Sequence, residues 1–148
     1  MVEISKFFHL AGAIVWIGGM AFVLWSLRPV AIAQLAPPQR VPLLAAVLRR
    51  FFTAVWISIA LLLVTGFHMF AVLGMANAPH GVHVMLAIGV LMIAIFAHVH
   101  FGPYRKLAAA AASQDWPMAG RQLGRIHPLV VTNFVLGWLA IAAVLLIR

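Results

Sequence analysis

Seven histidines are the side chains of this sequence best suited to chemistry, and all of them lie in or beside long apolar stretches. They are His9, His68, His80, His83, His98, His100 and His127. An ionisable group inside a membrane helix is unfavourable to bury and by default indicates a functional site. Neutral imidazole is a frequent ligand of metal ions and of haem iron. The histidines therefore predict a metal or haem centre.

Composition excludes several other kinds of site. The sequence has no cysteine, so covalent attachment of haem through C-x-x-C-H is excluded. The only acidic residues are Glu3 and Asp115, so hydrolysis catalysed by a pair of carboxylates is not expected. The sequence also has no phosphate-binding loop and no nucleophile–base set.

The solvent of this chain is predicted to be the lipid bilayer. Of its 148 residues, 66% are hydrophobic and 8% are charged, whereas a soluble domain carries about 25% charged residues. The net charge of +8 does not indicate nucleic acid as a partner, because the basic residues lie between apolar runs, where the positive-inside rule puts them.

Four apolar stretches are long enough to cross the membrane, which takes about 20 helical residues. They cover residues 4–27, 51–73, 81–101 and 128–147. Helices satisfy every backbone group in lipid, so the predicted fold is an all-α integral membrane protein. It is a single four-transmembrane-helix domain over residues 1–148.

The connections between these spans carry recognisable signals. Arg28-Pro29 and Gly102-Pro103 are predicted to end the first and third spans. Residues 41–50 look like an amphipathic lead-in to the second span, and residues 74–80 like a tight turn. Asp115 is suited to cap a helix whose first turn holds Trp116 and Pro117.

The distribution of basic residues predicts the orientation. Eight of them lie in the first and third connections: Arg28, Arg40, Arg49, Arg50, Arg105, Lys106, Arg121 and Arg125. The second connection has none. The first and third connections should therefore be cytoplasmic, with both termini on the outer, periplasmic side. The expected location is the bacterial inner membrane, as a multi-pass protein.

Antiparallel spans would gather the histidines into two groups at opposite depths. The outer group consists of His9, His68, His80 and His83, and the inner group of His98, His100 and His127. On helix one, the 100° step places Gly12, Trp16, Gly19 and Met20 on the face of His9. On helix three, the face of His83 carries Ala87, Val90, Ala94 and Ala97, with His98 nearby. Because small residues mark helix contacts, this face is predicted to point inward, with Met85, Met92 and Phe96 toward lipid and His100 at the interface.

Two histidines at equal depth on neighbouring helices are able to hold one haem iron between them. His9 and His68, with His83 as the alternative partner, are the predicted ligands of the outer centre. His98 and His127 would hold a second group, so that one or two haem b molecules are expected. Copper is the alternative, because thioether favours Cu(I) and Met20, Met69 and Met75 are also available.

Three segments of the sequence resemble the copper resistance D (CopD) family. They are KFFHLAGAIVWIGGMAF (6–22), LRRFFTAVWISIALLLVTGF (48–67) and RIHPLVVTNFVLGWLAIAAVLL (125–146). The resemblance covers about half of the chain and implies copper transport across the inner membrane. The layout, with a histidine at the place of His9, is also similar to HemJ-type protoporphyrinogen oxidases, four-helix proteins associated with haem b. This chain has no lysine in its third span, unlike that second family.

The preferred interpretation is a haem b protein acting in electron transfer or a quinone-linked redox step. As an enzyme it would be a haem-dependent membrane oxidoreductase, with quinone or a redox protein as its partner. CopD-like copper transport is the first alternative. A structural or assembly subunit without a cofactor is the second, and homo-oligomerisation fits any of them.

Overall fold

The computed structural model describes residues 1–147 and consists, over this range, of four long helices without strands. The helices are α1 (Val2–Gln34), α2 (Pro37–Leu73), α3 (His80–Ala112) and α4 (Trp116–Leu146). Each is long and apolar enough to cross a membrane, as predicted. We call the end of the bundle with the two chain termini the terminal end, and the opposite end, with the eight basic residues, the basic end.

The helices are longer than the bilayer requires, because two prolines do not end them. The predicted ends at Arg28-Pro29 and Gly102-Pro103 are wrong, since α1 continues for about one and a half turns beyond the first proline and α3 for about two and a half turns beyond the second. A π-helical segment lies within one turn of each proline, at Val23–Leu27 and His100–Tyr104. The wider turn moves the preceding carbonyl away from the pyrrolidine ring and accommodates the missing N–H donor.

Several local signals in the connections are confirmed. The lead-in to α2 is helical from Pro37 onward and forms one helix with the span. The Asp115 carboxylate accepts a hydrogen bond from the backbone N–H of Met118 at 3.0 Å and caps α4. The turn between α2 and α3 contains a 3₁₀ segment, Met75–Asn77, and Gly74 with a φ of +79°.

Close helix packing occurs within two antiparallel pairs, α1 with α2 and α3 with α4. A Cβ atom at Gly12 would lie 3.2 Å from the carbonyl oxygen of Ser58, so α1 and α2 touch backbone to backbone there. Gly81 fits against the carbonyl oxygens of Ala143 and Ile147 in the same way. Small residues thus mark contacts within each pair, as expected in membranes.

Gly81→Ala is expected to destabilise the pair of α3 and α4. The added methyl group would overlap backbone atoms of α4, and backbone cannot rotate away as a side chain can. Overpacking of this kind lowers the free energy of unfolding by about 1–3 kcal/mol. Unfolding in sodium dodecyl sulfate, followed by circular dichroism, measures the change. Gly89→Ala is the matched control, because nothing lies within 4 Å of a Cβ atom there; equal stability of both variants would contradict the packing argument.

The two pairs meet in an aromatic core in the middle of the bundle. Trp16, Phe52 and Phe96 are each at most 4% exposed. Phe96 packs edge-on against both Trp16 and Phe52, with ring centroids 6.1 and 5.2 Å apart. Bulky rings are needed here because the pairs lie farther apart than the helices within a pair.

The predicted inward face of α3 is wrong for the same reason. Met92 and Phe96 are buried, and the exposed residues include His83, Ala87, Val90, Ala94 and His98. Small residues identify the inward face only where two helix backbones touch, whereas Phe96 reaches Trp16 and Phe52 of the other helix pair and therefore has to be large. On α1 the predicted face is confirmed, since Gly12, Trp16 and Met20 are buried and His9 is half-buried.

Candidate metal centre

A pocket of about 430 Å³ lies between the four helices in the terminal half of the bundle. Its walls are almost entirely apolar, and the ionisable side chains that line it are Lys6 and His9. Lys6 pairs with Glu3 at 2.9 Å, and both side chains are exposed at the terminal end. His9 is therefore the polar group that the interior of the pocket offers to a ligand.

Hydrogen bonding fixes the tautomer of His9. The hydroxyl of Thr65 donates its single proton to the carbonyl oxygen of Leu61 at 2.5 Å. The Thr65 oxygen lies 3.0 Å from His9 Nδ1 and must then accept from it. With the proton on Nδ1, Nε2 carries the free lone pair that a metal ion needs.

Thr65 is 7% exposed and orients the imidazole of His9 on the neighbouring helix. Gly66 flanks the same ring, because a Cβ atom there would lie 3.5 Å from His9 Cε1. The ring is held between a hydrogen bond and a glycine that leaves room for it.

His68 forms a second bond across the same pair of helices. Its Nδ1 atom lies 2.9 Å from the hydroxyl oxygen of Ser5. Ser5 and His9 are one turn apart on α1, and Thr65 and His68 are one turn apart on α2, so each helix gives one hydroxyl and one imidazole. His68 is not among the residues that line the pocket.

This arrangement does not support a haem held between His9 and His68. Both residues belong to α1 and α2, whose backbones touch at Gly12 and Ser58, and a porphyrin needs its two ligands on opposite sides of a wide slot. Over residues 1–147, no group of three His, Cys, Asp or Glu side chains comes together that could hold a metal ion. Methionine sulfur is the other soft donor that this chain offers to a metal ion.

Three methionines line the pocket together with His9: Met69 on α2, and Met85 and Met92 on α3. At 1.5 Å per residue, His9, Met69 and Met85 lie within about 4 Å of one another in depth from the terminal end. Met92 lies about 10 Å deeper than Met85 and is 4% exposed. Imidazole and thioether are the donor set that Cu(I) prefers.

Met85 and Met92 were missed by the sequence analysis, which turned them toward lipid. The pattern of large side chains at 85, 92 and 96 was present, but only the gap between the helix pairs makes that face the inward one. Of the methionines named from the sequence, Met69 lines the pocket, whereas Met75 is 51% exposed in the turn.

The remaining candidate histidines lie apart from the pocket. His83 is exposed, and its Nδ1 bonds to the carbonyl oxygen of Pro79 at 3.2 Å. His98 is exposed near the basic end. His127 is half-buried within α4, which begins at Trp116, well before the predicted start of the fourth span at residue 128.

His100, and not His98, is the inward histidine of α3. The predicted position of His100 at the membrane interface is therefore wrong. Its ring lies among Phe52, Trp56, Phe96 and Tyr104, with centroid distances of 5.7 to 5.9 Å. The π-helical segment that begins at His100 alters the helical step locally, which a plain 100° rotation does not anticipate.

Comparison with known proteins identifies one family. The model of the family described as Copper resistance protein D matches residues 45–147, which is more than two thirds of the chain. No curated protein and no solved structure gives a match. The matched residues include α3, α4 and most of α2, so they contain Thr65 and the three methionines of the pocket, whereas His9 precedes them. The chain is a multi-pass membrane protein and belongs to the copper resistance protein D family.

Proposed function

We propose that this protein handles copper in the bacterial inner membrane, binding Cu(I) in the pocket of the terminal half, which we call the outer pocket, and passing it through the bundle. The observation that carries the proposal is the joint lining of one pocket by His9, with a free Nε2, and by Met69 and Met85. The description of the family, Copper resistance protein D, supports the choice of metal.

The residues present fit a copper ion better than a haem. His9 Nε2 and thioether sulfurs are soft, neutral donors, which suit Cu(I) and not a hard divalent cation. The pocket is wider than an ion needs, so we place the ion at the wall formed by His9, Met69 and Met85. The remaining volume would act as a vestibule open to a donor molecule.

The absorption spectrum and a copper titration of the purified protein test this function together. We expect a protein without a Soret band that competes for Cu(I) against bicinchoninate under anaerobic conditions. A sharp Soret band with α and β bands on reduction would favour the haem reading instead. A protein with neither property would favour a structural or assembly role.

The proposed direction of copper movement across the membrane depends on the topology of the chain, which reporter fusions determine. We expect alkaline phosphatase to be active when fused at either chain end or in the turn at residues 74–80, because that side has few basic residues. Green fluorescent protein inserted at residues 113–115 should fluoresce. Cytoplasmic signals at both chain ends would show that the pocket opens to the cytoplasm.

A further inference from the structure

The outer pocket is far larger than a metal ion requires, and its walls suit an aromatic molecule. Its volume of about 430 Å³ lies in the range of about 300–1,000 Å³ that is usual for sites of small organic ligands. Trp16, Phe67 and Phe70 line it together with the three methionines already described. Aromatic rings and thioether sulfur both pack favourably against the ring of a ligand. The lining therefore suits a flat aromatic head group.

The pocket is continuous with the lipid-facing surface of the bundle. Leu10, Phe67 and Val90 line it and are 57–60% exposed on the spans of α1, α2 and α3. An apolar molecule dissolved in the bilayer can therefore enter between the two helix pairs. Water is a poor occupant of the interior, because a bound water molecule needs about two to four polar partners, whereas the interior of this pocket offers His9.

The ring of His9 decides which kind of apolar molecule fits. Its Nδ1 atom is bonded to Thr65, and its Cε1 atom faces Gly66, so the edge formed by Nε2 and Cδ2 is the part of the ring left to line the pocket. Because the proton is on Nδ1, Nε2 only accepts hydrogen bonds. A ligand that pairs with it must bring a donor. An acyl chain has none, and the carbonyl oxygens of a quinone only accept.

We propose that the outer pocket binds a lipid-soluble hydroquinone, with one phenolic hydroxyl donating to His9 Nε2 and the ring packed among the aromatic and thioether side chains. A hydroquinone combines solubility in the bilayer, a flat ring and a hydroxyl donor. The inference goes beyond copper handling and does not depend on it, because the hydrogen bond forms in the metal-free protein. Cu(I) and the hydroquinone use the same nitrogen atom and should therefore compete.

The test is isothermal titration calorimetry of the metal-free, full-length protein in detergent, under anaerobic conditions, with tetramethylhydroquinone (duroquinol) and with duroquinone. We expect duroquinol to bind at least about tenfold more tightly, because duroquinone places a carbonyl oxygen against the lone pair of Nε2 and forms no hydrogen bond there. His9→Phe keeps a ring and removes the acceptor, so the two ligands should then bind with equal affinity.

A pair of glycine variants tests the location of the ligand. Gly89 lines the pocket, and nothing lies within 4 Å of a Cβ atom there, so the side chain of Gly89→Leu has free space to occupy. Duroquinol affinity should fall at least about tenfold in this variant. Gly120→Leu is the matched control, because Gly120 has the same free space and does not line the pocket. Its affinity should stay within about threefold of the natural protein, and SDS unfolding verifies that each variant is folded.

The possible results separate this inference from the copper function. No binding of duroquinol would overturn the inference. Equal affinities of the natural protein for duroquinol and duroquinone would also overturn it and would indicate a pocket for lipid chains. Equal affinities of Gly89→Leu and Gly120→Leu would place the ligand outside the pocket, with the same consequence. Cu(I) binding without duroquinol binding would leave the proposed function intact, whereas duroquinol binding without Cu(I) binding would overturn the proposed function and support the hydroquinone site.

Discussion

His9→Ala is expected to lower the affinity of the outer pocket for Cu(I) by more than about 100-fold, since even residues that only hydrogen-bond to a metal ligand contribute about 10–100-fold. His9 supplies the free imidazole nitrogen of the pocket, and the remaining donors named there are thioethers. The measurement is the dissociation constant for Cu(I), obtained by competition with bicinchoninate. An affinity within about threefold of the natural protein would remove His9 from the site.

Two further variants show that the effect of His9 arises from its Nε2 atom. Thr65→Val keeps the volume and removes the hydroxyl that accepts from Nδ1, so we expect a loss of about 10–100-fold. His68→Ala removes the neighbouring imidazole, which does not line the pocket, and should change the affinity by less than about threefold. A large loss in His68→Ala would return His68 to the metal site, as the sequence analysis proposed.

The double variant Met69→Leu, Met85→Leu is expected to weaken Cu(I) binding by about 100-fold, which is about tenfold or ~1.4 kcal/mol for each thioether. Leucine conserves the volume of methionine and removes the sulfur, so the pocket should keep its shape. The same competition titration gives the affinity. X-ray absorption at the copper edge gives the ligand type, and sulfur scattering should disappear in the double variant.

Met75→Leu is the matched control for that experiment. Met75 is close to Met69 in sequence but lies in the exposed turn between α2 and α3. It should bind Cu(I) as the natural protein does. If Met75→Leu weakened binding as much as the double variant, the ion would be bound at the membrane surface and not in the pocket.

The four helices could be predicted because membrane burial leaves a simple signal in composition. The inward face of α1 was also predictable, since His9, Gly12 and Trp16 lie on one stripe and α1 packs directly on α2. The cap at Asp115 followed from local chemistry alone. The lengths of α1 and α3 could not be predicted from local chemistry. In the sequence, a proline that a π-helical turn accommodates cannot be distinguished from a proline that ends a helix.

The candidate site was only partly predictable for a different reason. His9 was identified by its type and depth, but its partners depend on which helices touch. Because α1 pairs with α2, His68 contacts Ser5 and does not line the pocket. The gap between the pairs turned Met85 and Met92 inward. Neither outcome is encoded in the periodicity of a single helix.

The π-helical segments of α1 and α3 also bear on how chain length varies at these positions. A π turn holds one residue more than an α turn does, while the helix on either side keeps its facing. Removing Ser26 and replacing Pro29 by Ala should therefore yield an unbroken α-helix that still directs Met20 and Ala31 inward. A homologue without this proline can be one residue shorter here and keep its interior, so sequence alignments of such chains should place their gaps inside these turns.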